Sequence, residues 1–303
     1  MRKIKTIVLL MAIAIGAQAD VTIDYSHFPD DQFRKYVTQQ YDTNDDGVLS
    51  TREAALAVTI DLSETIAKNL KGIEYFKNLT KLDISESLVR SLDVSGNEEL
   101  TYLNCTHSYI SKLDLSHNEK LTELYCSRTY INGLDLRNNR YLQKLDCSNC
   151  YLDYLIISGD SRDLSMVNCS SNSMTEAALE LFISYLRVKT DGQLYVVQDV
   201  NTDYDYTMRD SNEFTKKLAA MVFAKGWTPY KGTYDENTGK SSWVAYTNDN
   251  YNYKADVNED GTVDSADIVA VIKEMPDGDK KADVNGDTVI DSADIVAVIK
   301  AMK

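Results

Sequence analysis

The sequence predicts an α/β solenoid of stacked parallel strands, capped at both ends and followed by a small all-α unit. Three observations carry that prediction. Apolar residues recur every 21 positions through the middle of the chain, and stretches of helical period flank that middle on both sides. The string "DSADIVAVIK" is written twice near the end, at 264–273 and again at 291–300.

Taken in chain order, "MRKIKTIVLLMAIAIGAQAD" sets Arg2, Lys3 and Lys5 before an apolar run, then small residues at Ala17 and Ala19. This reads as a cleavable export signal over 1–19, too short and wrongly flanked to span a bilayer permanently. Its removal takes three basic and no acidic residues, leaving 29 Lys and Arg against 47 Asp and Glu, a net charge of −18. Such a charge repels nucleic acid and anionic membranes and suits a protein that holds cations. The expected location is extracellular or at the cell surface, with the periplasm also open.

Residues 20–69 read as an N-terminal cap. A helix bearing Phe33, Tyr36 and Val37 precedes a loop with Asp42, Asn44, Asp46, the carbonyl of Val48, Ser50 and Glu53 at positions 1, 3, 5, 7, 9 and 12. Gly47 stands at position 6, where the chain turns sharply. Alternate oxygens on a tight loop are the pattern a hard cation such as Ca2+ requires. A second helix over Ala54 to Ala57 and a strand in "VTIDLS" (58–63) are expected to follow, leading into the first coil.

The coils occupy 70–172. "LTKLDIS" (79–85), "LTYLNCT" (100–106), "LTELYCS" (121–127), "LQKLDCS" (142–148) and "LSMVNCS" (164–170) start 21, 21, 21 and 22 residues apart. "LDVSGN" (92–97), "LDLSHN" (113–118), "LDLRNN" (134–139) and "LIISGD" (155–160) supply a second run per coil. A fixed period of this length is that of leucine-rich repeats. Strand alternation sends Leu82, Leu103, Leu124, Leu145 and Val167 inward as one column and Leu92, Leu113, Leu134 and Leu155 as another, forming two parallel ladders. Cys105, Cys126, Cys147 and Cys169 share one inward slot, so the cysteines read as core rather than as disulfides or a zinc site. Asp93, Asp114 and Asp135, with Asn97, Asn118 and Asn139, are expected to satisfy turns. Tyr109, Tyr130 and Tyr151 form either an exposed stripe for a sugar or protein ligand or a column shielding the core edge.

Residues 173–245 read as a C-terminal α/β cap. Ser173 and Glu176 are expected to form a capping box for a helix carrying Leu179, Phe182, Ile183 and Leu186. A strand at 192–197 and a helix carrying Phe214, Leu218, Met221 and Val222, closed by Gly226, come next. Residues 246–254 are a polar linker.

The duplicated tail, 255–303, contains two twelve-residue loops. One offers Asp256, Asn258, Asp260, the carbonyl of Thr262, Asp264 and Asp267 as Ca2+ ligands, the other Asp283, Asn285, Asp287, the carbonyl of Val289, Asp291 and Asp294. Each loop feeds a helix whose apolar stripe, Ile268 to Met275 or Ile295 to Met302, can hide only against its duplicate. Residues 255–303 resemble a dockerin type I domain, whose loops end in Asp as Asp267 and Asp294 do. The resemblance implies docking to a cohesin-type scaffold through Ser265, Ala266, Ser292 and Ala293, in either of two orientations. Position 6 is Gly261 in the first loop but Thr288 in the second, so the second site is expected to be weaker. Residues 24–245, from the cap through "KGIEYFKNLTKLDIS" to "AKGW", resemble secreted leucine-rich repeat proteins of Bacteroidetes.

No HExxH, nucleophile motif or phosphate-binding loop is present, and His27, His107 and His117 have no zinc spacing. The expected function is non-catalytic: the repeats recognise a protein or glycan ligand and the tail docks to a scaffold. Dockerin-bearing proteins often act in polysaccharide breakdown, which the resemblance extends to this chain. The alternatives are an adhesin-like protein whose paired calcium loops are only structural and, more remotely, a glycoside hydrolase working through paired carboxylates.

Overall fold

The computed structural model describes residues 19–198, 212–235 and 240–246. The expected export signal apart from Ala19, the expected linker apart from Tyr246, which is buried and donates its N–H to the Pro229 carbonyl, and both tail loops with the helices expected after them lie outside the described residues.

In the N-terminal cap, β1 (Val21–Thr22) pairs antiparallel with β2 (Val48–Leu49), on either side of α1 (Asp31–Gln40). Asp30 caps α1 by accepting from the backbone N–H groups of Gln32 and Phe33. Phe28, Phe33 and Phe76 are fully buried, which closes the first coil against water. The helix expected over Ala54 to Ala57 is a single turn, α2 (Thr51–Ala54). It stops because the chain must join the sheet: the Val58 carbonyl accepts from Thr80 and Lys81, and β3 (Thr59–Asp61) begins there.

The first run of each coil forms a three-residue strand: β4 (Lys81–Asp83), β5 (Tyr102–Asn104) and β6 (Glu123–Tyr125). The second run forms regular strand only in two neighbouring coils, β7 (Gly133–Leu136) and β9 (Tyr154–Ile157), between and beyond which lie β8 (Lys144–Asp146) and β10 (Met166–Asn168). Residues 92–94 and 113–115 keep their inward leucines without a paired strand, so the second ladder is shorter than expected. Their turns are held instead by Asp93 and Asp114, which accept the N–H of Ser95 and Ser116 at 3.0 and 2.9 Å.

Past the coils come α3 (Glu176–Tyr185), β11 (Gly192–Gln198), α4 (Lys216–Ala224), β12 (Trp227–Asp235) and β13 (Lys240–Ala245). These strands extend the repeat sheet to nine strands, in the order β13-β12-β11-β10-β8-β6-β5-β4-β3, parallel except for β12 with β13. The expected Ser173 capping box does not form. Ser173 still belongs to the coil, its N–H bonded to the Leu152 carbonyl, and Thr175 is the N-cap, accepting from Ala178. At Gly226 the chain takes φ +73°, and an added Cβ would lie 1.5 Å from the Lys189 carbonyl oxygen, so only glycine fits.

Register explains the core. Leu82, Leu103, Leu124, Leu145 and Val167 stand opposite one another in successive strands, and all five are fully buried. Each buried leucine contributes about 1.5–3 kcal/mol. The buried asparagines reach further than their own turns. The Asn118 Nδ2 donates to the carbonyls of Val94 and Asn97, one coil earlier, at 2.9 and 3.0 Å. Asn97 does the same to Ile73 and Phe76, and Asn139 to Leu115 and Asn118. Ser161, buried, takes the next place one residue late, which is where the 22-residue coil holds its extra residue.

Asn118→Ala therefore removes two buried hydrogen bonds between coils, leaving the Val94 and Asn97 carbonyls with only the backbone N–H groups of Asn97 and Leu100. The expected loss is about 3 kcal/mol of unfolding free energy, measured by chemical denaturation, whereas alanine at exposed Asn138 should cost well under half of that.

Candidate functional site

Because side chains alternate across a strand, the residues flanking each buried leucine emerge on the open face of the nine-stranded sheet. In register, the third positions read Asp61, Asp83, Asn104, Tyr125, Asp146, Asn168, Tyr195 and Tyr230. The first positions of β4 to β11 read Lys81, Tyr102, Glu123, Lys144, Met166 and Gln193. None of these is buried.

The face is tied together by side-chain contacts within and between strands. The Asn104 Nδ2 donates to Asp83 at 3.1 Å, the Tyr125 hydroxyl to Glu123 at 2.8 Å, and Lys144 to Glu123 at 3.3 Å. The Lys81 ammonium lies 4.5 Å from the centre of the Tyr102 ring, which lies 5.6 Å from Tyr125. At the other end Tyr195 stacks on Tyr230 at 4.8 Å and meets Trp243 edge to face at 5.0 Å. Asp146 sits between Tyr125 and Asn168, where desolvation by its neighbours pushes its carboxyl pKa above the ordinary value against the hydrogen bonds from Ser148 and the attraction of Arg128.

Beside this face runs a column that sequence reading missed. Glu64, Glu86, His107, Arg128, Asn149 and Ser171, one per coil, adopt left-handed backbone with φ of 51° to 57°. From Glu64 to Asn149, each N–H donates to a carbonyl of the next coil. Glycine, the usual signal for such a conformation, is absent from all six positions. The available signal is the Asx turn three residues earlier, as in Asp83 accepting from Ser85.

Tyr109, Tyr130 and Tyr151 lie off the sheet and stack on one another at 5.9 Å, with interplanar angles of 18° and 12° and Arg90 over the first ring. Their faces are turned to each other, while 39% to 49% of each residue stays exposed. The rings stack as the column reading expects, and each remains part exposed. Cys105, Cys126, Cys147 and Cys169 are buried and free, as the inward slot predicts, and so is Cys150, three residues after Cys147. Desolvation pushes four of the thiols away from the reactive thiolate form, Cys150 to a pKa of about 11 and Cys105, Cys126 and Cys147 well above the ordinary value.

The N-terminal loop turns as its spacing predicts. Buried Asp42 accepts the N–H of Asp46 at 3.1 Å and of Gly47 at 3.0 Å. Asn44 donates to Asp46, which accepts from Val48. Glu53 accepts from Thr43 (N at 2.7 Å, Oγ1 at 2.6 Å) and from Ser50, with which it forms a capping box. Burial raises the Glu53 pKa, but these bonds outweigh it and bring the value to about 2. Among the described residues no group of three or more His, Cys, Asp or Glu stands positioned to hold a metal. The loop's donors are all oxygens, which fits calcium chemically, while Glu53 is spent on hydrogen bonds within the loop. The ligand sets at 256–267 and 283–294, with Ser265, Ala266, Ser292 and Ala293, lie outside the described residues.

The dockerin type I domain family matches residues 254–303, the stretch that holds both duplicated loops. The solenoid, of leucine-rich repeat type, is similar to an internalin (inlF) from Listeria monocytogenes, at 18% identity over 73% of this chain with a TM-score of 0.53. The chain spans 62% of that protein's length. Lower-scoring likenesses include a functional domain of InlJ from Listeria monocytogenes, which includes a cysteine ladder (22% identity, 69% of this chain, 52% of that one, TM-score 0.40). Another is the leucine-rich repeat protein LIC12759 of Leptospira interrogans (19% identity, 56% of this chain, 42% of that one, TM-score 0.43). No curated protein sequence matches. Among the described residues no helix is long and apolar enough to cross a membrane.

A raised carboxyl pKa means that the folded state holds the Asp146 proton more tightly than the unfolded chain does. The associated stability is full below the ordinary value of 3.8 and is lost as pH rises through the folded value. Asp146→Asn, which keeps the acceptor for Ser148, should raise the denaturation midpoint at pH 7. The gain should vanish near pH 3, read from denaturant titrations at the two pH values.

Proposed function

We propose that this chain is an exported, non-catalytic binding protein that recognises a ligand on the open face of its repeat sheet and docks to a cohesin-type partner through residues 255–303. The observation that carries the reading is the dockerin match at 254–303 joined to a leucine-rich repeat solenoid. Two tandem oxygen-rich loops supply the chemistry for calcium: Asp256, Asp260 and Asp267 in one, Asp283, Asp287 and Asp294 in the other, with the intervening asparagines, aspartates and carbonyls. Bound calcium would neutralise carboxylates that otherwise repel and would order each loop, so that the helices expected after them could bury their matching stripes and present Ser265, Ala266, Ser292 and Ala293.

Binding fits the solenoid better than catalysis. Its open face offers tyrosines, amides and carboxylates in fixed columns spaced one strand apart, a broad recognition surface. Its buried thiols are far from the thiolate form a nucleophile needs. A place in polysaccharide breakdown follows if the scaffold partner assembles enzymes of that kind.

The N-terminal loop is proposed as a separate, structural calcium site, with Asp42, Asn44, Asp46, the Val48 carbonyl, Ser50 and Glu53 as its ligands. It pins β2 against β1 and so steadies the cap.

Two outcomes test this reading. The full chain should be captured by an immobilised type I cohesin in calcium, and lose capture in chelator or on combining Asp256→Ala with Asp283→Ala. Capture that ignores both treatments, or no capture by any cohesin tried, removes the docking proposal. For the N-terminal loop, calcium at 100 times its dissociation constant should stabilise the cap by about 2.7 kcal/mol. In differential scanning calorimetry of a chain that already carries the two tail substitutions, that shift should disappear with Asp42→Ala.

A further inference from the structure

The open face is not uniform along the solenoid. Its first coils carry Asp61 and Asp83 on the sheet and Glu64 and Glu86 beside them in the left-handed column, against Lys81 and against His107, whose Nδ1 pairs with Glu86. Desolvation is small there: Asp61 and both glutamates are exposed, and the Asp61 carboxyl is held below the ordinary range first by the Ser63 N–H and hydroxyl. Among the described side chains the far end carries no charge on the open face: Met166 and Gln193 flank a platform of Tyr195, Tyr230 and Trp243, with Gly232 opposite Trp243 in the register. The same face already holds one cation on an aromatic ring, Lys81 on Tyr102 at 4.5 Å. That pair shows the geometry in which its tyrosines accept an ammonium group.

We infer that the partner of the open face is a polypeptide segment that lays basic residues across Asp61, Glu64, Asp83 and Glu86 and an aromatic or apolar side chain against Tyr195, Tyr230 and Trp243. The inference rests on the open-face reading above and names the chemistry of its ligand. Charge complementarity selects the class. A neutral glycan could stack on the aromatic end but would leave Asp61, Glu64 and Asp83 to share Lys81, and Glu86 with His107 alone, whereas lysine or arginine side chains satisfy them and steer the encounter. The spacing is also set by the fold. From Asp83 on β4 to Tyr195 on β11 there are five strand spacings, about 24 Å at ~4.8 Å each. An extended chain rising ~3.3 Å per residue crosses that distance in about seven residues.

The test uses the full chain and a fluorescent peptide of about ten residues, basic at one end and ending in tryptophan, read by anisotropy at physiological ionic strength. The variant D61N/E64Q/D83N/E86Q keeps the Asx-turn acceptors and should weaken binding about tenfold or more. A charge-matched control off the sheet, E98Q/E99Q/E119Q/D163N, should change it by less than about twofold. Moving the tryptophan next to the basic run should also weaken binding. Circular dichroism of both variants checks that they fold. Absence of binding by the unaltered protein, or equal loss in the two variants, overturns the inference. If a repeat-domain ligand found by screening is lost with Y195A/W243A but not with the acidic variant, the open face stands as the site and the partner is neutral, a glycan included. If neither variant affects that ligand, the open-face reading falls as well.

Discussion

No coil of this solenoid can hide its own leucines, so each depends on the coil before and after it. The parallel pairing of three-residue strands puts Leu82, Leu103, Leu124, Leu145 and Val167 in one buried column, one strand spacing apart. The rest of the molecule is built on that spacing. Asn97, Asn118 and Asn139 can reach the carbonyls of the preceding coil because the repeat returns each amide to the same height above its neighbour. Cys105, Cys126, Cys147 and Cys169 can share one dry slot for the same reason. Stability in such an arrangement is nearest-neighbour in character, which makes the ends the weak points. The aromatic plug of Phe28, Phe33 and Phe76 answers that at one end. At the other, β11 to β13 continue the sheet, and Asn212 bridges the Cys169 and Val196 carbonyls.

The same constraint turns a one-dimensional pattern into surface chemistry. Whatever residue stands beside the buried leucine becomes one step in a column on the open face, and adjacent columns share hydrogen bonds, as Asn104 with Asp83 or Lys144 with Glu123. Function on such a surface is distributed. Its character is set by how charge and aromaticity drift from coil to coil, here from carboxylates near β3 and β4 to rings at β11 to β13. Asp146 marks the boundary, a carboxylate crowded enough to favour its proton more than an exposed one would.

How much was legible beforehand depended on whether a residue's role is local or periodic. The inward leucines and cysteines were readable because burial repeats with the sequence. The N-terminal loop was readable because its turn is written in Asp42, Asp46 and Gly47 within one stretch. The left-handed column was not, because no glycine announces it and its hydrogen bonds run to carbonyls of the next coil. The start of α3 was misplaced by two residues because Ser173 has a partner in Leu152 that no local rule could supply. The second ladder looked continuous in sequence, yet pairs as strand only where Leu134 and Leu136 meet Leu155 and Ile157.

By itself the sequence determined the period, the inward columns, the oxygen-rich loops and the sign of the charge, because each of these is a property of residue type and spacing along one chain. Tertiary structure alone decided which outward side chains meet. Tyr195, Tyr230 and Trp243 come from three strands, and Asp83 and Asn104 from two coils, so their contacts arise from parallel register and sheet continuation rather than from neighbouring residues. It decided as well that Tyr109, Tyr130 and Tyr151 turn their faces to one another, since stacking at the coil spacing buries more ring surface than presenting each face to water.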